Sequence, residues 1–307
     1  MFYRDLNTYL KDEFGEKVYK ITLSGGMTCP NRDGSKGDKG CIFCSAGGSG
    51  EFAPAADKSI KDQLAEAKAK LSDKYKGHKY IAYFQSYTNT YAPTTYLKKI
   101  FTQAISDPEV VALSIGTRPD CISDDTLQLL KELNQYKPVW IELGLQTIHE
   151  ETAKWLRRGY ELPCFEQCVA KLKQANIKII VHVILGLPNE TKASMIETVE
   201  YLNKQHIDGI KLQLLHVLEG TDLAELCKNG QLSTLTIDEY IDILADCVEH
   251  LSPEVVVHRL TGDGPKKILI APQWSADKKR VWNTIQQEFA RRNVCQGCLA
   301  GKEAERE

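Results

Sequence analysis

An α/β fold built on a parallel sheet is predicted by three features of this 307-residue sequence. Short β-branched runs alternate with longer helical stretches six times between Val18 and Val217, the order that crossover helices impose on parallel strands. Most of the short runs are apolar with little alternation, as expected when both faces of a strand are covered. Polar residues follow the runs and so fall on the C-terminal rim, where the loops of such sheets converge. Six units fit either an open doubly wound sheet or an incomplete barrel related to the eight-unit form.

Strands are expected at VYKITLS (18–24), KYIAYFQ (79–85), VALSIGT (111–117), VWIELGLQ (139–146), KIIVHVILG (178–186) and GIKLQLLHV (209–217). Helices are expected near 58–75, 94–106, 124–135, 150–157, 163–175 and 190–205. Ser123 is placed to cap the helix starting at Asp124, whose early acidic residues suit the positive end of the helix dipole. Thr236 and Glu239 form a capping box for a helix running to about Leu251. A further strand, EVVVHRL (254–260), leads into the turn TGDGP, and a last helix covers about 275–292. No fixed-period repeat or long linker divides the chain. It reads as one domain over residues 1–292, with a core of about 18–217, an extension over 218–292, and a flexible tail from 293 to 307.

Hydrophobic residues at 42% and charged residues at 26% are those of an ordinary globular protein. No apolar run reaches membrane-spanning length, and MFYRDLNTYL carries polar residues throughout. The expectation is a cytoplasmic protein with no membrane partner, whose ten cysteines serve metal or reactive chemistry more than disulfides. A net charge of −2 does not advertise nucleic-acid binding, although basic residues cluster at Arg157–Arg158, Lys278–Lys279–Arg280 and Arg291–Arg292.

The loop LSGGMTCPNRDGSKGDKGCIFCSAGG (23–48) directly follows the first strand and holds Cys29, Cys41 and Cys44 at C-x11-C-x2-C spacing. A structural zinc needs four closed ligands, and only the remote pair Cys295 and Cys298 would complete such a set. An open cluster fits better: a [4Fe–4S] cubane held by three thiolates leaves one iron free to chelate the amine and carboxylate of a substrate or cofactor. Phe43 would shield that cluster from water, and the loop's glycines let the backbone turn tightly. Cys121, Cys164, Cys168, Cys227 and Cys247 read as core or helix-surface thiols.

Together with YFQSYTNTY, SIGTRPD, IELGLQT, HVILGLPNET and HRLTGDGP, this loop resembles the radical S-adenosylmethionine (radical SAM) superfamily over about residues 15–292. The resemblance is to the Elongator-catalytic-subunit-like group and, within it, the YhcC/YtqA-type proteins. It implies a partial (β/α)6 barrel with Cys29, Cys41 and Cys44 as cluster ligands and S-adenosylmethionine (SAM) on the unique iron. By position, Gln146 resembles a residue contacting SAM, and Arg158 one whose guanidinium fork pairs the SAM carboxylate. Gln85, Thr88 and Asn89 stand where relatives receive the SAM amino group, and Gly186 where a flat adenine approaches. The eleven-residue cysteine gap departs from the commonest pattern of three, and no acetyltransferase domain is visible.

The resemblance further implies reductive cleavage of SAM to a 5′-deoxyadenosyl radical, fed by a reducing donor of flavodoxin or ferredoxin type. Its expected substrate is tRNA, with the carboxymethylaminomethyl group at carbon 5 of the wobble uridine processed towards aminomethyl. Glu142, His182, His216, Arg259 and Asp263 are candidates to order substrate or protons, or else satisfied polar residues of the barrel wall. A small-molecule substrate and a zinc-stabilised binding protein remain alternatives.

Overall fold

In the computed structural model, which describes residues 2–48, 53–54, 56–73, 75–262 and 264–301, the alternation of runs and helices becomes a curled sheet. Its strands are β1 (Tyr19–Leu23), β2 (Tyr80–Phe84), β3 (Val110–Thr117), β4 (Val139–Gln146), β5 (Lys178–Leu185), β6 (Gly209–Leu214) and, after the two-residue β7 (Val217–Leu218), β8 (Val256–Arg259). They lie side by side in chain order and all run parallel, so among the described residues the sheet is a seven-stranded half-barrel with β1 and β8 unjoined. Right-handed crossovers put the connecting helices on one side of such an in-order sheet. These are α2 (Ile60–Leu71) through α7 (Lys192–Lys204), preceded by α1 (Leu6–Phe14). Between β3 and β5 the order is α4 (Asp124–Asn134), then α5 (Glu150–Trp155) and α6 (Leu162–Gln174), with α3 (Thr94–Ile105) before β3. The incomplete-barrel expectation is met, with one strand more than the six units predicted.

Alternation on the strands is stronger than the sequence implied. Outward residues such as Leu113, Ile141, Leu143, Ile179 and Val181 join the helices in the main core. The inner face is layered. Val18, Ile81, Ala112, Trp140 and Ile180 fill its lower end together with Leu10 of α1, a helix the sequence reading did not identify. Asp5 caps α1 and bridges to Val257, so this short helix covers the open seam between β1 and β8. Above that apolar floor the wall turns polar.

The expected caps form: Ser123 Oγ accepts from Thr126 N, and the Thr236–Glu239 box opens α9 (Ile237–His250). Between them in the extension lies α8 (Asp222–Lys228), and β7 pairs antiparallel with β9 (Leu269–Ala271). Leu223 and Ala224 of α8 form a second core with Ile42, Leu156, Leu187 and Leu215 directly under the cysteine loop. The last helix is α10 (Lys278–Arg292).

Residues 294–301 differ from the flexible tail expected there. Val294 is buried, and the Gln296 amide donates to Ser252 O (2.7 Å) and Val255 O (2.8 Å) while accepting from Arg4 N (2.7 Å). One side chain thus ties both chain ends to the start of β8. Gln296→Ala leaves these groups, two of them in part-buried bonds, without their partner and is expected to cost about 1 kcal/mol. The check is a lowered urea midpoint at unchanged slope.

Candidate active site

The thiols of Cys29, Cys41 and Cys44, each half-buried, stand on the loop leaving β1 at the C-terminal rim. The knuckle between the last two is held on both sides: Ile42 N donates to Leu156 O (3.1 Å), and Ile42 O accepts from Leu223 N (3.2 Å). The long excursion from Cys29 closes on itself, because Gly40 N donates to Asn31 O (2.7 Å) and Lys36 N to Pro30 O (2.8 Å). Asn31 is buried and points Nδ2 at Cys41 Sγ (3.5 Å), Arg157 O (2.7 Å) and Arg158 O (3.1 Å). Arg32 Nη2 clasps the Cys44 and Ser45 carbonyls at 2.6 and 2.7 Å. Burial, reinforced by the neighbouring Cys44, pushes the Cys41 thiol up to about 11, against the opposing pull of Arg118 and Asn31.

Cys295 and Cys298 do not approach this loop. They sit in an exposed turn at the opposite end of the barrel, where Gly297 N donates to Val248 O (3.3 Å) and Leu299 N to Glu249 O (2.9 Å). A four-thiolate zinc site joining the two groups is therefore ruled out by their placement. No group of three or more His, Cys, Asp or Glu among the described residues converges tightly enough for a single metal ion. Three soft thiolates spread around one rim loop fit a cluster, whose sulfur ligands stand farther apart than those of a single ion.

The QSYTNT turn docks on this loop. Tyr87 N donates to Gly48 O (2.8 Å), the Tyr87 hydroxyl bonds Ala46 O, and Thr88 N donates to Thr28 O (3.2 Å). Ser86 and Tyr87 both have positive φ, the bend that this contact demands. Thr88 Oγ1 is buried with no hydrogen-bond partner, a polar atom that a bound polar group would satisfy. Asn89 instead braces the turn, its Nδ2 donating to Ser86 O (3.1 Å) and Gly116 O (2.9 Å). Gln85 faces the barrel cavity.

Gln146 ends β4 at φ +66°; with its N–H turned to the acceptors around it, the amide donates to Gly144 O (3.1 Å) and Leu145 O (2.9 Å). Gly186 has φ +84°, and a Cβ there would meet Leu235 Cδ1 at 2.8 Å, so Leu235 already fills that side. Arg158 departs from its expected role as a carboxylate clamp. Only 2% exposed, it donates to Tyr160 O (3.0 Å), Leu145 O (3.3 Å), Thr147 O (2.8 Å) and Glu150 Oε1 (2.9 Å). Those bonds engage four of the five donors of a guanidinium, which makes Arg158 a strut tying the end of β4 to the start of α5 and to the connection before α6. The sequence reading missed Arg118, which holds Asp120 bidentately (2.9 Å twice) and reaches Arg158 O (2.7 Å). Burial, which would raise it, is outweighed by Arg118 and Lys36, so the Asp120 carboxyl lies below the usual range.

Behind the loop, a cavity of about 730 Å³ runs down the barrel interior from Phe43 past Gln85 and Tyr83 to Lys20, Lys211 and His258. That volume falls among ligand-binding cavities, which span about 300–1,000 Å³. Below the rim, Glu142 is fully buried and accepts from Lys20 Nζ (2.6 Å), Ser114 Oγ (2.6 Å), His182 Nε2 (2.7 Å) and Lys211 Nζ. Burial alone would raise its pKa; Lys20, Lys211 and His182 together hold it well below the carboxylate range. Burial pulls His182 down to about 4, so its ring is neutral. Of the other wall candidates, His216 meets Ser275 Oγ (3.0 Å), Arg259 lines the cavity, and Asp263 lies outside the described residues. Lys278 and the half-exposed Trp282 of α10 stand at the cavity mouth, while Arg157, Arg291 and Arg292 are ion-paired to Asp222, Glu288, and Asp242 with Asp246. No helix among the described residues is long and apolar enough to cross a membrane.

Comparison with known proteins agrees with this geometry. The profile of the Radical SAM superfamily matches residues 29–202, and that of the Radical_SAM C-terminal domain matches 207–291. "Uncharacterized protein YtqA" of Bacillus subtilis is 42% identical over 295 residues, covering 96% of this chain and 92% of its own. "tRNA uridine(34) acetyltransferase" of Methanocaldococcus infernus is 27% identical over 164 residues, 52% of this chain and 30% of its own. The solved structure of Elp3 from the same archaeon superposes with a TM-score of 0.70 at 18% identity, over 92% of this chain and 65% of that one, and so shares the fold. A three-cysteine loop on the rim of a parallel half-barrel, in a chain matched over most of its length by these profiles, shows that the chain belongs to the radical SAM superfamily.

Proposed function

We propose that this chain binds a [4Fe–4S] cluster through Cys29, Cys41 and Cys44, cleaves SAM, and processes the carboxymethylaminomethyl group of a tRNA wobble uridine towards aminomethyl. The observation that carries the reading is the trio of thiols on one clamped loop, opening through Phe43 onto a cavity of about 730 Å³. When bound, the cluster supplies the electron that cleaves SAM, delivered by a flavodoxin- or ferredoxin-type donor. The chain's own residues do the rest. Asn31 aims an N–H at Cys41 Sγ, a contact that tunes a cluster's potential. Gln85, Thr88 and Gln146 are the polar groups offered to SAM, Asn89 and Gly186 shape the turns around it, and Arg158 supports the loop from beneath.

Support for a tRNA substrate comes from the partial match to the archaeal uridine(34) enzyme and from the cavity mouth, where Trp282 and Lys278 stand together. An exposed indole stacks on an unpaired base while a lysine meets phosphate. Binding through basic side chains releases counterions from the phosphates, so affinity for tRNA is expected to fall as salt rises.

After anaerobic reconstitution, Cys41→Ala is expected to abolish 5′-deoxyadenosine formation, while Cys295→Ala leaves it within about twofold. Product analysis by mass spectrometry checks this, and equal losses would bring the C-terminal pair into the machinery. Transfer RNA from a strain lacking the gene should accumulate the unprocessed uridine; unchanged nucleosides would favour a small-molecule substrate. Because Cys41 is raised to about 11, cluster loading must release its proton. Loading followed by visible absorbance should therefore quicken as pH rises from about 7 to about 9.

A further inference from the structure

Several features outside the cysteine loop lack an assigned role, and the largest is the polar layer halfway down the barrel. Lys20 and Lys211 share one carboxylate, Glu142, which His182 and Ser114 also engage. An ammonium carries three donors. Lys20 Nζ spends one on Glu142, and Lys211 spends two, on Glu142 and on the Tyr83 hydroxyl (3.3 Å). Both lysines line the cavity. Next to them, His258 Nδ1 is buried with no partner, its ring 5.8 Å from Trp140.

The cavity's charge balance points the same way. Lys20 and Lys211 share the one carboxylate of Glu142 behind the wall, and Asp5 is the carboxylate among the described residues lining the cavity. Asp5 is already committed to capping α1, accepting from Asn7 N (2.9 Å), Thr8 N (3.1 Å) and the Thr8 hydroxyl (2.6 Å). Burial pulls Lys211 down to about 7 despite Glu142, and Lys20 and Arg259 add to the fall. Two lysines around one carboxylate leave one positive charge that an anion in the cavity would balance.

We propose that Lys20, Lys211 and His258 form an anion subsite in the barrel interior that receives a carboxylate of the substrate, with the rest of the molecule extending up the cavity towards Phe43. This rests on the reading above, in which the uridine's carboxymethylamino substituent carries that carboxylate. The subsite would make the enzyme prefer the carboxylated uridine over its aminomethyl product, since only the former pairs the lysines.

The test uses the full chain. Calorimetric titration with 5-carboxymethylaminomethyluridine and with 5-aminomethyluridine should show the first binding at least about tenfold more tightly, the increment of one charge-assisted hydrogen bond. Lys211→Met should bring the ratio of the two affinities, both measured on that variant, close to one. In parallel, acetylation of Lys211 by acetic anhydride, read by mass spectrometry, should be slowed by acetate; this arm needs no uridine and no variant. Protection by acetate with neither nucleoside bound keeps the subsite and removes the uridine reading. Stronger protection by inorganic phosphate assigns the subsite to a substrate phosphate. Equal nucleoside affinities together with Lys211 labelling indifferent to both anions overturn it.

Discussion

A single buried carboxylate holds the interior of this half-barrel together. Glu142 on β4 takes hydrogen bonds from side chains on β1, β3, β5 and β6, so four neighbouring strands are registered against one residue. An open barrel lacks the strand-to-strand closure that fixes the curvature of a full one. Here the curl is fixed from the inside, by charge, at a height between the apolar floor and the cysteine rim. Removing one partner from such a centre strands the others in a medium that penalises bare charge. The arrangement therefore combines two jobs that usually separate, holding the wall and lining the cavity.

The rim depends on the same economy of contacts. Ile42 belongs to the cysteine loop by sequence and to the second core by packing, alongside α8. Its two backbone bonds connect the knuckle to the segment after α5 and to the C-terminal extension. The extension is thus a supporting wall for the cysteines, and Asn31, Arg118 and Arg158 complete the frame from the opposite side.

Much of this was legible in the sequence, for reasons that can be named. The six predicted strands and helices appear within a few residues because crossover units carry local patterns, and Ser123 and Thr236 cap as their side chains dictate. The placing of the cysteine trio on one rim loop was legible because all three follow the first strand within a single connection. What escaped depends on distant contacts. The nine residues of α1 acquire their role by meeting strands far along the chain, and Gln296 by reaching Ser252 and Val255. Arg158 resembled a ligand clamp in linear position, yet four carbonyl and carboxylate oxygens had already claimed it. Lys20 and Lys211 gave a signal that was not read: a lysine on the inward step of an otherwise apolar strand must answer to something inside.

The bond from Gly40 to Asn31 has a consequence for how such chains diverge. It pinches the segment after Cys29 at its neck, so the first thiol meets the other two without regard to how many residues lie in between. Lengthening a pinched loop carries an entropic penalty that grows only logarithmically. Insertions between Arg32 and Gly40 can therefore accumulate while the thiols stay in place, and a search keyed to a fixed interval between the first two cysteines would pass over relatives that keep the whole centre intact.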